Sequence, residues 1–340
     1  MTIYPKINKN IIIIAEAGVN HNGNLKIAKK LVDAAKEAGA NYIKFQIFKT
    51  ENHIIKKAKL AEYQIKNLKK NITQFKMIKN LELSEDKFKK IHLYAKKKKI
   101  KFLLSCFDLE SLDFYLKLNP DMIKIPSGEI TNLQLLEAIG RSKKKIILST
   151  GMSNLNEIKS ALKILVKNGT KLNKITLLQC TTDYPCQVKD VNLNIIPELT
   201  RRFKCKVGLS DHTTTHEAGI IAVTLGSSVI EKHITLNHSM SGPDHSASFD
   251  PNEFKLFVKQ IRNINFIYGK KKKLITKSEK KNIKLVRKSL VALRPITKGE
   301  IFTKNNIGAK RPGGGINPMK IYSFLGKKSK RNFLTDEKIK

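Results

Sequence analysis

Acidic residues are scarce in this sequence. Only 28 Asp and Glu stand against 66 Lys and Arg, and the formal net charge of the 340 residues is +38. Such an excess is typical of proteins that bind nucleic acid, where binding releases counterions and weakens steeply with salt. Here, however, only eight basic residues are arginine, tryptophan is absent, and the lysines are spread along nearly every predicted helix. We therefore interpret the charge as solvated lysine faces, expect no nucleic-acid partner, and keep a basic nucleic-acid-binding protein as the non-enzyme alternative.

Cysteine pairs and long apolar runs are also lacking. The four cysteines have no CxxC spacing and fall short of the density of a disulfide-stabilised secreted domain. The apolar run IIIIAEAG (11–18) is too short for a signal sequence or a membrane span. A phosphate-binding nucleotide loop is missing too, because GGGINP (313–318) lacks the GK[ST] ending. These absences predict a cytoplasmic protein with reduced thiols, no membrane association and a substrate other than ATP.

Short apolar runs rich in β-branched residues alternate with helical segments along most of the chain. The predicted strands are residues 11–18, 42–48, 100–107, 122–128, 145–151, 174–180, 206–212 and 228–235. Between them lie helical segments such as 24–39, 84–99 and 154–169, the last two of which begin at the N-cap residues Ser84 and Asn154. Strands and helices that alternate in this way predict a closed (β/α)8 barrel, which typically takes about 250 residues.

Three segments interrupt or follow this pattern. Residues 49–83 form a polar, lysine-rich insertion after the second strand, and we expect a partly helical cover over the barrel mouth. Residues 268–284 are a charged run that predicts a linker, part of it helical. After it, strand-like pieces, a KGE turn and three consecutive glycines predict a small β-rich domain. The expected organisation is a catalytic barrel over 1–267, the linker over 268–284 and the β-rich domain over 285–340.

Polar residues appear at the ends of otherwise apolar predicted strands, and the active site of such a barrel lies at the carboxyl ends of its strands. Lys44 and Lys124 are two of these residues, and burying either ammonium without an anion would be costly. The strand ends also supply hydroxyls from Ser105, Ser127, Ser149 and Ser210. Ammonium and hydroxyl donors in one ring suit a small phosphorylated acid, which the net positive field would help to attract.

Histidines occur at the same strand ends. His212 and His233 close the seventh and eighth strands, so neighbouring strands would present two imidazoles at one rim. This arrangement suits a divalent metal ion with open positions for water or substrate. Asp211 and Glu231 lie beside the two histidines in the sequence, and we expect them to be hydrogen-bond partners of the metal ligands.

Two further carboxylates face the same predicted cavity. Glu16 ends the first strand, and Glu129 follows the fourth. We expect one of the two carboxylates to stabilise a cationic intermediate and the other to transfer a proton. For Glu129 the alternative is a carboxylate satisfied by backbone N–H groups at a helix N-terminus.

These motifs, in this order, resemble the sialic acid synthases over essentially the whole chain. The matching segments are AEAGVNHNG, KFQ, KIPSGEITN, ILSTGM, CTTDYP, GLSDHT and EKHIT…SGPDHSAS, followed by KRPGGGI. The resemblance implies an enzyme that condenses phosphoenolpyruvate with an N-acetylated hexosamine to a nine-carbon 2-keto acid. It also implies a (β/α)8 barrel followed by an antifreeze-like (SAF) domain, in a domain-swapped homodimer.

The resemblance also implies roles for the residues that match its motifs. The implied phosphoenolpyruvate site comprises Lys44, Ser105, Lys124, Ser127, Ser149, Thr182 and Ser210. The implied sugar contacts are Gln46, Tyr184, Asp244 and Arg311. Arg311 would come from the partner's small domain and hold the N-acetyl group. The implied catalytic residues are Glu16, Glu129, Lys124, His212 and His233. The two histidines would bind a divalent metal ion, Mn²⁺ first, with Mg²⁺ or Co²⁺ as alternatives.

The identity of the sugar is the main alternative that the sequence leaves open. The SGPDH segment resembles the neuraminate and legionaminate branches, and we expect N-acetylmannosamine, which would give N-acetylneuraminate. A 2,4-diacetamido-2,4,6-trideoxymannose would give N,N'-diacetyllegionaminate, and a different stereoisomer would give pseudaminate. The antifreeze-like domain argues against an octulosonate- or heptulosonate-type synthase. In every case phosphate would leave by C–O cleavage.

Overall fold

The chain is organised as two compact units that divide after Tyr268. The computed structural model describes Asn8 and residues 10–68, 72–269 and 272–340. The division falls at the start of the predicted linker 268–284, in which residues 270–271 lie outside the described residues. Every helix among the described residues is too short or too polar to cross a membrane.

In the described part of the first unit, eight parallel strands close into a barrel in sequence order, with β8 pairing back onto β1. They are β1 (Ile12–Gly18), β2 (Tyr42–Ile47), β3 (Lys101–Cys106), β4 (Met122–Ile125), β5 (Lys145–Ser149), β6 (Ile175–Cys180), β7 (Lys206–Asp211) and β8 (Val229–His233). Strands of a parallel barrel are covered on both faces, which explains why each reads as a short apolar run. The predicted (β/α)8 barrel is confirmed, and every predicted strand overlaps an observed one.

Helices surround the barrel and pack a continuous apolar layer against it. They are α1 (Leu25–Glu37), α5 (Glu85–Lys97), α6 (Leu109–Lys117), α7 (Leu133–Arg141), α8 (Leu155–Lys167), α9 (Ile195–Phe203), α10 (Glu217–Thr224) and α11 (Pro251–Tyr268). The insertion after β2 adds α2 (Thr50–His53), α3 (Glu62–Leu68) and α4 (Gln74–Leu81), and α4 packs in a separate apolar cluster. The predicted N-caps are confirmed. Ser84 accepts a hydrogen bond from the backbone of Lys87, and Asn154 forms a reciprocal capping box with Glu157.

The insertion after β2 is anchored at both ends. Its described part contains α2, α3 and α4, whereas residues 69–71 lie outside the described residues. Glu82 Oε2 accepts hydrogen bonds from the backbone N (3.1 Å) and Oγ1 (2.6 Å) of Thr50, which joins the end of the insertion to its start. The first βα loop packs against α4 at Gly23, where an added Cβ would lie 2.8 Å from the backbone oxygen of Asn80. With φ at +69°, this close approach requires glycine.

The second unit is small and contains a two-stranded sheet. Strand β9 (Ser289–Ala292) pairs antiparallel with β10 (Ile307–Lys310). Helix α12 (Lys277–Val286) precedes them, so the later half of the predicted linker is largely helical. The apolar core of this unit comprises Leu290, Ala292, Ile296, Phe302, Ile307, Phe333 and Ile339. The predicted small β-rich C-terminal domain is confirmed.

Candidate active site

A cavity of about 230 Å³ is lined by side chains from the carboxyl ends of the barrel strands and by residues of the insertion. The predicted site residues that line it are Glu16, Lys44, Gln46, Ser105, Lys124, Ser127, Ser149, Thr182, Tyr184, Ser210, His212, His233 and Asp244. These residues are far apart in the sequence. The closed barrel brings them together because its parallel strands all end at the same rim.

Buried charges of alternating sign form a row within the cavity. The Nζ of Lys44 lies 3.2 Å from Glu16 Oε1 and 3.3 Å from Glu231 Oε2. The Nζ of Lys124 lies 3.6 Å from Oε1 of the same Glu231. Each of these side chains is at most 4% exposed, and we call Glu16, Lys44, Glu231 and Lys124 the charge row. Each charge has an opposite neighbour, which offsets much of the cost of burying it.

Burial and pairing together set the protonation of the charge row. Burial alone would raise the pKa of Glu231, but Lys124 and Lys44 outweigh it and lower this pKa to about 2. Burial likewise opposes the charge on Lys44, yet Glu16 and Glu231 raise its pKa. At the ends of the row burial dominates, raising the pKa of Glu16 and lowering that of Lys124. The two central members are therefore firmly charged, whereas Lys124 stands to gain most from a bound anion.

Hydroxyl groups surround the charge row. Ser210 Oγ donates to Glu231 Oε1 at 2.9 Å, and Lys124 Nζ donates to Ser149 Oγ at 2.7 Å. Ser127 Oγ accepts a hydrogen bond from the backbone N of Gly151 at 3.0 Å. Thr182 Oγ1 is buried and has no hydrogen-bond partner within the described residues. A buried hydroxyl of this kind is costly unless a ligand or water completes its hydrogen bonding.

The predicted metal ligands lie side by side. The rings of His212 and His233 have their centroids 5.4 Å apart and are inclined by 70°. His212 Nδ1 lies 2.7 Å from the backbone oxygen of Thr181 and donates to it, and Nε2 lies 3.4 Å from Ser210 Oγ. His233 Nδ1 is buried without a hydrogen-bond partner in the described part of the chain. Burial, followed by His212 and Lys44, lowers the pKa of His233 well below its ordinary value, so this imidazole is neutral.

Strand alternation places an ion pair on the opposite face of β7 and β8. Lys232 lies between Glu231 and His233 but points away from the cavity. Its Nζ is 2.7 Å from Asp211 Oδ2, and both side chains are fully buried. The expected role of Asp211 beside the histidines is therefore wrong, because its carboxylate binds Lys232 and the backbone N of Thr213. Glu231 does face the cavity, as a member of the charge row.

Predicted sugar contacts lie next to the histidine pair. The ring centroid of Tyr184 is 4.1 Å from that of His212 and 5.5 Å from that of His233. Asp244 is 7% exposed, and burial, then the neighbouring Glu16, raises its pKa to about 7. A carboxyl group that titrates near neutral pH can accept a hydrogen bond from a sugar hydroxyl or donate one to it.

Two predicted site residues lie elsewhere. The Glu129 carboxylate accepts a hydrogen bond at 2.7 Å from Asn132, the N-cap of α7, and its neighbour Gly128 lines the cavity. Glu129 thus lies at the start of a helix, as in the alternative that places its carboxylate at a helix N-terminus. Its hydrogen-bond donor, however, is the side chain of Asn132 and not a backbone N–H group. Arg311 is exposed and belongs to the second unit. The catalytic role of Glu129 and the sugar contact of Arg311 stay predictions.

Glu231 and Cys180 both line the cavity, although neither was predicted from the sequence as a substrate-binding or catalytic residue. Glu231 shares the inner face of β8 with His233, two residues away, so the strand period carried a signal for it. Cys180 Sγ lies 4.0 Å from His212 Nδ1. Burial alone would raise the pKa of this thiol, but His212, with a smaller effect of Lys124, lowers it to about 7. A lone cysteine at the end of an apolar strand gives no such signal, because this residue usually packs as part of the core.

Comparison with protein families identifies the chain over most of its length. The NeuB family model matches residues 31–273, and the SAF domain model matches residues 287–340. The chain belongs to the NeuB family. It is thus an enzyme of the nonulosonate synthase type, and the resemblance to the sialic acid synthases is confirmed.

Individual relatives cover nearly the whole chain. The N,N'-diacetyllegionaminic acid synthase of Campylobacter jejuni is 51% identical over 98% of this chain and 99% of its own length. The Legionella pneumophila protein of the same name is 41% identical over 94% of this chain and 90% of its own. Among solved structures, the N-acetylneuraminic acid synthetase of Leptospira borgpetersenii, in complex with citrate, matches with a TM-score of 0.69 and 31% identity. That match covers 81% of this chain and 90% of the other.

Replacing Lys44 with methionine would leave Glu16 and Glu231 as neighbouring buried carboxylates without their shared cation. We expect Lys44→Met to lower the free energy of unfolding, measured by urea titration at about pH 8, by about 3–5 kcal/mol. The same substitution at Lys101, which forms an exposed pair with Asp121 at 3.0 Å, should cost less than about 1 kcal/mol.

The pH dependence gives a second readout of this variant. Without the lysine, the folded state should bind more protons than the unfolded state near neutral pH, because the two carboxylates then share one buried site. Its stability should therefore rise as the pH falls from about 8 to about 5. Equal losses for Lys44→Met and Lys101→Met, with no recovery at the lower pH, would contradict the charge row.

Proposed function

We propose that this enzyme condenses phosphoenolpyruvate with 2,4-diacetamido-2,4,6-trideoxymannose and water to give N,N'-diacetyllegionaminate and phosphate. The observation that carries the reaction type is that the charge row, its hydroxyls and the histidine pair line one cavity. The choice of sugar is supported by the 51% identity to the Campylobacter jejuni N,N'-diacetyllegionaminic acid synthase. This identity favours the legionaminate alternative over the neuraminate product expected from the motifs. N-acetylmannosamine remains the second candidate sugar, because the Leptospira borgpetersenii structure is that of an N-acetylneuraminic acid synthetase.

Phosphoenolpyruvate carries a carboxylate and a phosphate, and the cavity offers cations and hydroxyls for both. Lys124 gains a compensating charge when an anion binds, since burial destabilises its ammonium form. The unpaired Thr182 hydroxyl gains a hydrogen-bond partner in the same way. We infer that the anion is held by Lys44, Ser105, Lys124, Ser127, Ser149, Thr182 and Ser210.

The carbon chemistry assigns a role to Glu16. The alkene carbon of phosphoenolpyruvate attacks the sugar aldehyde and forms a C–C bond, the carbonyl π bond breaks, and the aldehyde oxygen takes up a proton to become a hydroxyl. Positive charge is left at C2. Glu16 Oε2 is buried and lacks a hydrogen-bond partner among the described residues, whereas Oε1 lies 3.2 Å from Lys44, which opposes the effect of burial and favours the carboxylate form. The unpaired oxygen is therefore available to stabilise this centre. Water then adds at C2 and loses a proton, which balances the proton taken up by the aldehyde oxygen. The tetrahedral carbon expels phosphate by C–O cleavage, and the remaining hydroxyl proton leaves with the phosphate as the ketone forms.

His212 and His233 would hold a divalent metal ion, for which we propose Mn²⁺. The fit rests on two imidazole nitrogens. His212 Nε2 is the acceptor nitrogen once Nδ1 donates to Thr181, and its contact to Ser210 Oγ is long at 3.4 Å, whereas His233 Nδ1 is unpaired within the described residues. When bound, such an ion supplies Lewis-acid polarisation of a carbonyl oxygen. The chain itself fixes the tautomer of His212 through Thr181 and keeps His233 neutral by burial.

The sugar contacts we propose in the barrel are Tyr184, Asp244 and Gln46, all of which line the cavity. Gln46 Nε2 donates to Glu16 Oε1 at 3.2 Å, which fixes the position of its amide beside the charge row. Asp244 accepts from or donates to a sugar hydroxyl according to its protonation, which changes near pH 7. These groups orient the open-chain sugar with its aldehyde toward phosphoenolpyruvate.

We also propose that Arg311 reaches the N-acetyl group from the second unit of a partner chain in a domain-swapped homodimer. Arg311 is exposed, and the loop that carries it is fixed within its own unit. Ser289 Oγ donates to the backbone oxygen of Pro312 at 2.9 Å and accepts from the backbone N of Gly315 at 3.0 Å. A guanidinium on a fixed loop suits directional binding of a carbonyl oxygen.

Product identification tests the reaction and the sugar together. The purified protein is incubated with phosphoenolpyruvate, Mn²⁺ and one candidate sugar at a time, and the products are identified by mass spectrometry. We expect N,N'-diacetyllegionaminate, with kcat/KM roughly tenfold or more above that for N-acetylmannosamine. Preferred formation of N-acetylneuraminate would overturn the choice of sugar, and absence of any nonulosonate product would overturn the reaction.

The metal assignment is tested by removing both histidines. We expect His212→Ala/His233→Ala to abolish metal-dependent phosphate release and to lose the Mn²⁺ binding seen by electron paramagnetic resonance. His92→Ala is the matched control, because His92 is half-buried on α5, packs against Phe102 and lies outside the cavity lining. Full activity or undiminished Mn²⁺ binding in the double variant would rule out the proposed ligands.

A further inference from the structure

Part of the cavity lining is apolar. Val19, Met77, Ile78 and Phe107 line the cavity and also belong to one apolar cluster. We call these four residues the apolar wall. A site for an anion and a metal ion has no use for such a surface, whereas a substrate with an apolar part is stabilised by it.

The apolar wall is built over the early strands of the barrel. Val19 follows β1 and Phe107 follows β3, whereas Met77 and Ile78 lie on α4 of the insertion. The histidine pair lies at the ends of β7 and β8. In the closed barrel β3 is opposite β7, so a substrate whose reacting end lies at the histidines extends toward Phe107 and the apolar cluster that it shares with Met77 and Ile78.

Contacts on either side of the insertion hold the wall in place. The backbone of α4 packs directly on Gly23 of the first βα loop, where an added Cβ would lie 2.8 Å from Asn80 O. Asn67 Nδ2, on α3, donates to the backbone oxygen of Pro243 at 2.6 Å. This bond joins the insertion to the loop that carries Asp244. The wall is therefore already formed before a substrate binds, and its shape can select among substrates.

The two candidate sugars differ at the end that would meet this wall. With C1 at the histidine pair, the open chain places C6 farthest away. In 2,4-diacetamido-2,4,6-trideoxymannose C6 is a methyl group and C4 carries an acetamido group, whereas N-acetylmannosamine has hydroxyls at both carbons. Methyl groups gain free energy when they are buried against apolar side chains, and hydroxyls buried there without a partner lose it.

We propose that the apolar wall is the specificity-determining surface for the 6-deoxy end of the sugar. The inference rests on the proposed function and extends it from the choice of substrate to the residues that make the choice. Gln74, also on α4, lines the cavity beside Met77 and Ile78 and offers an amide to the C4 acetamido group. One helix of the insertion thus presents apolar and amide groups that match both features of the trideoxy sugar.

The test compares two variants that make the wall polar with a matched control. Val19→Thr keeps the shape of the side chain and replaces a methyl group with a hydroxyl. Ile78→Thr also adds a hydroxyl, at a half-buried position, and removes the Cδ1 methyl group as well. Ile55→Thr is the control, because Ile55 lies in the same insertion but is 77% exposed. For each protein, kcat/KM is measured for both sugars at saturating phosphoenolpyruvate and Mn²⁺, together with KM for phosphoenolpyruvate.

Both wall variants should lower kcat/KM for the diacetamido sugar by about tenfold while changing that for N-acetylmannosamine by less than about twofold. Neither KM for phosphoenolpyruvate nor the Ile55→Thr values should change. A wild-type preference for the diacetamido sugar that persists unaltered in both wall variants would overturn this inference and leave the proposed function standing. A wild-type preference for N-acetylmannosamine would overturn both.

Discussion

A single buried carboxylate, Glu231, holds the two lysines of the active site together. Its carboxylate oxygens lie 3.3 Å from the Nζ of Lys44 and 3.6 Å from that of Lys124. The three residues belong to β8, β2 and β4, which are not neighbours in the barrel. Without it, two ammonium groups would be buried side by side, and at least one would lose its proton. The position of Glu16 depends on the same arrangement, because Lys44 binds both carboxylates. Lys44 in turn helps to keep His233 neutral, so the anion site and the metal site depend on one network.

Successive residues of a strand face opposite sides, so residues that line the cavity alternate with residues that stabilise the barrel. In β8 the inward residues Glu231 and His233 belong to the cavity, whereas Lys232 between them points toward the helices. Lys232 meets Asp211, its register partner on β7, in a fully buried ion pair. A shift of one residue in either strand would exchange the two sets of side chains, so the register that protects the ion pair also sets the spacing of the histidines. The order of residues along β7 and β8 therefore determines which side chains face the cavity and can bind a ligand there.

The sequence was sufficient to predict the barrel and most residues of the cavity, because both follow from local regularities. Apolar runs mark the strands, and polar residues at their carboxyl ends mark the rim. The bridging role of Glu231 could not be read in this way, because β2, β4 and β8 meet only when the barrel closes. The error over Asp211 has a different origin: adjacency in the sequence suggested a shared site, but adjacent residues of a strand face opposite sides. Helix α4 reads as an ordinary amphipathic helix, and its contribution to the cavity depends on how the insertion packs on the first βα loop.

Phosphoenolpyruvate binding without sugar tests most directly whether the charge row is the anion site. Isothermal titration calorimetry would compare the wild type with Lys124→Met and with Lys145→Met, a change at the exposed, opposite end of β5. We expect equal affinity for the wild type and Lys145→Met, and affinity lower by at least about tenfold for Lys124→Met, which lacks a charge-assisted contact. Wild-type affinity in Lys124→Met would contradict the assignment of the charge row as the anion site.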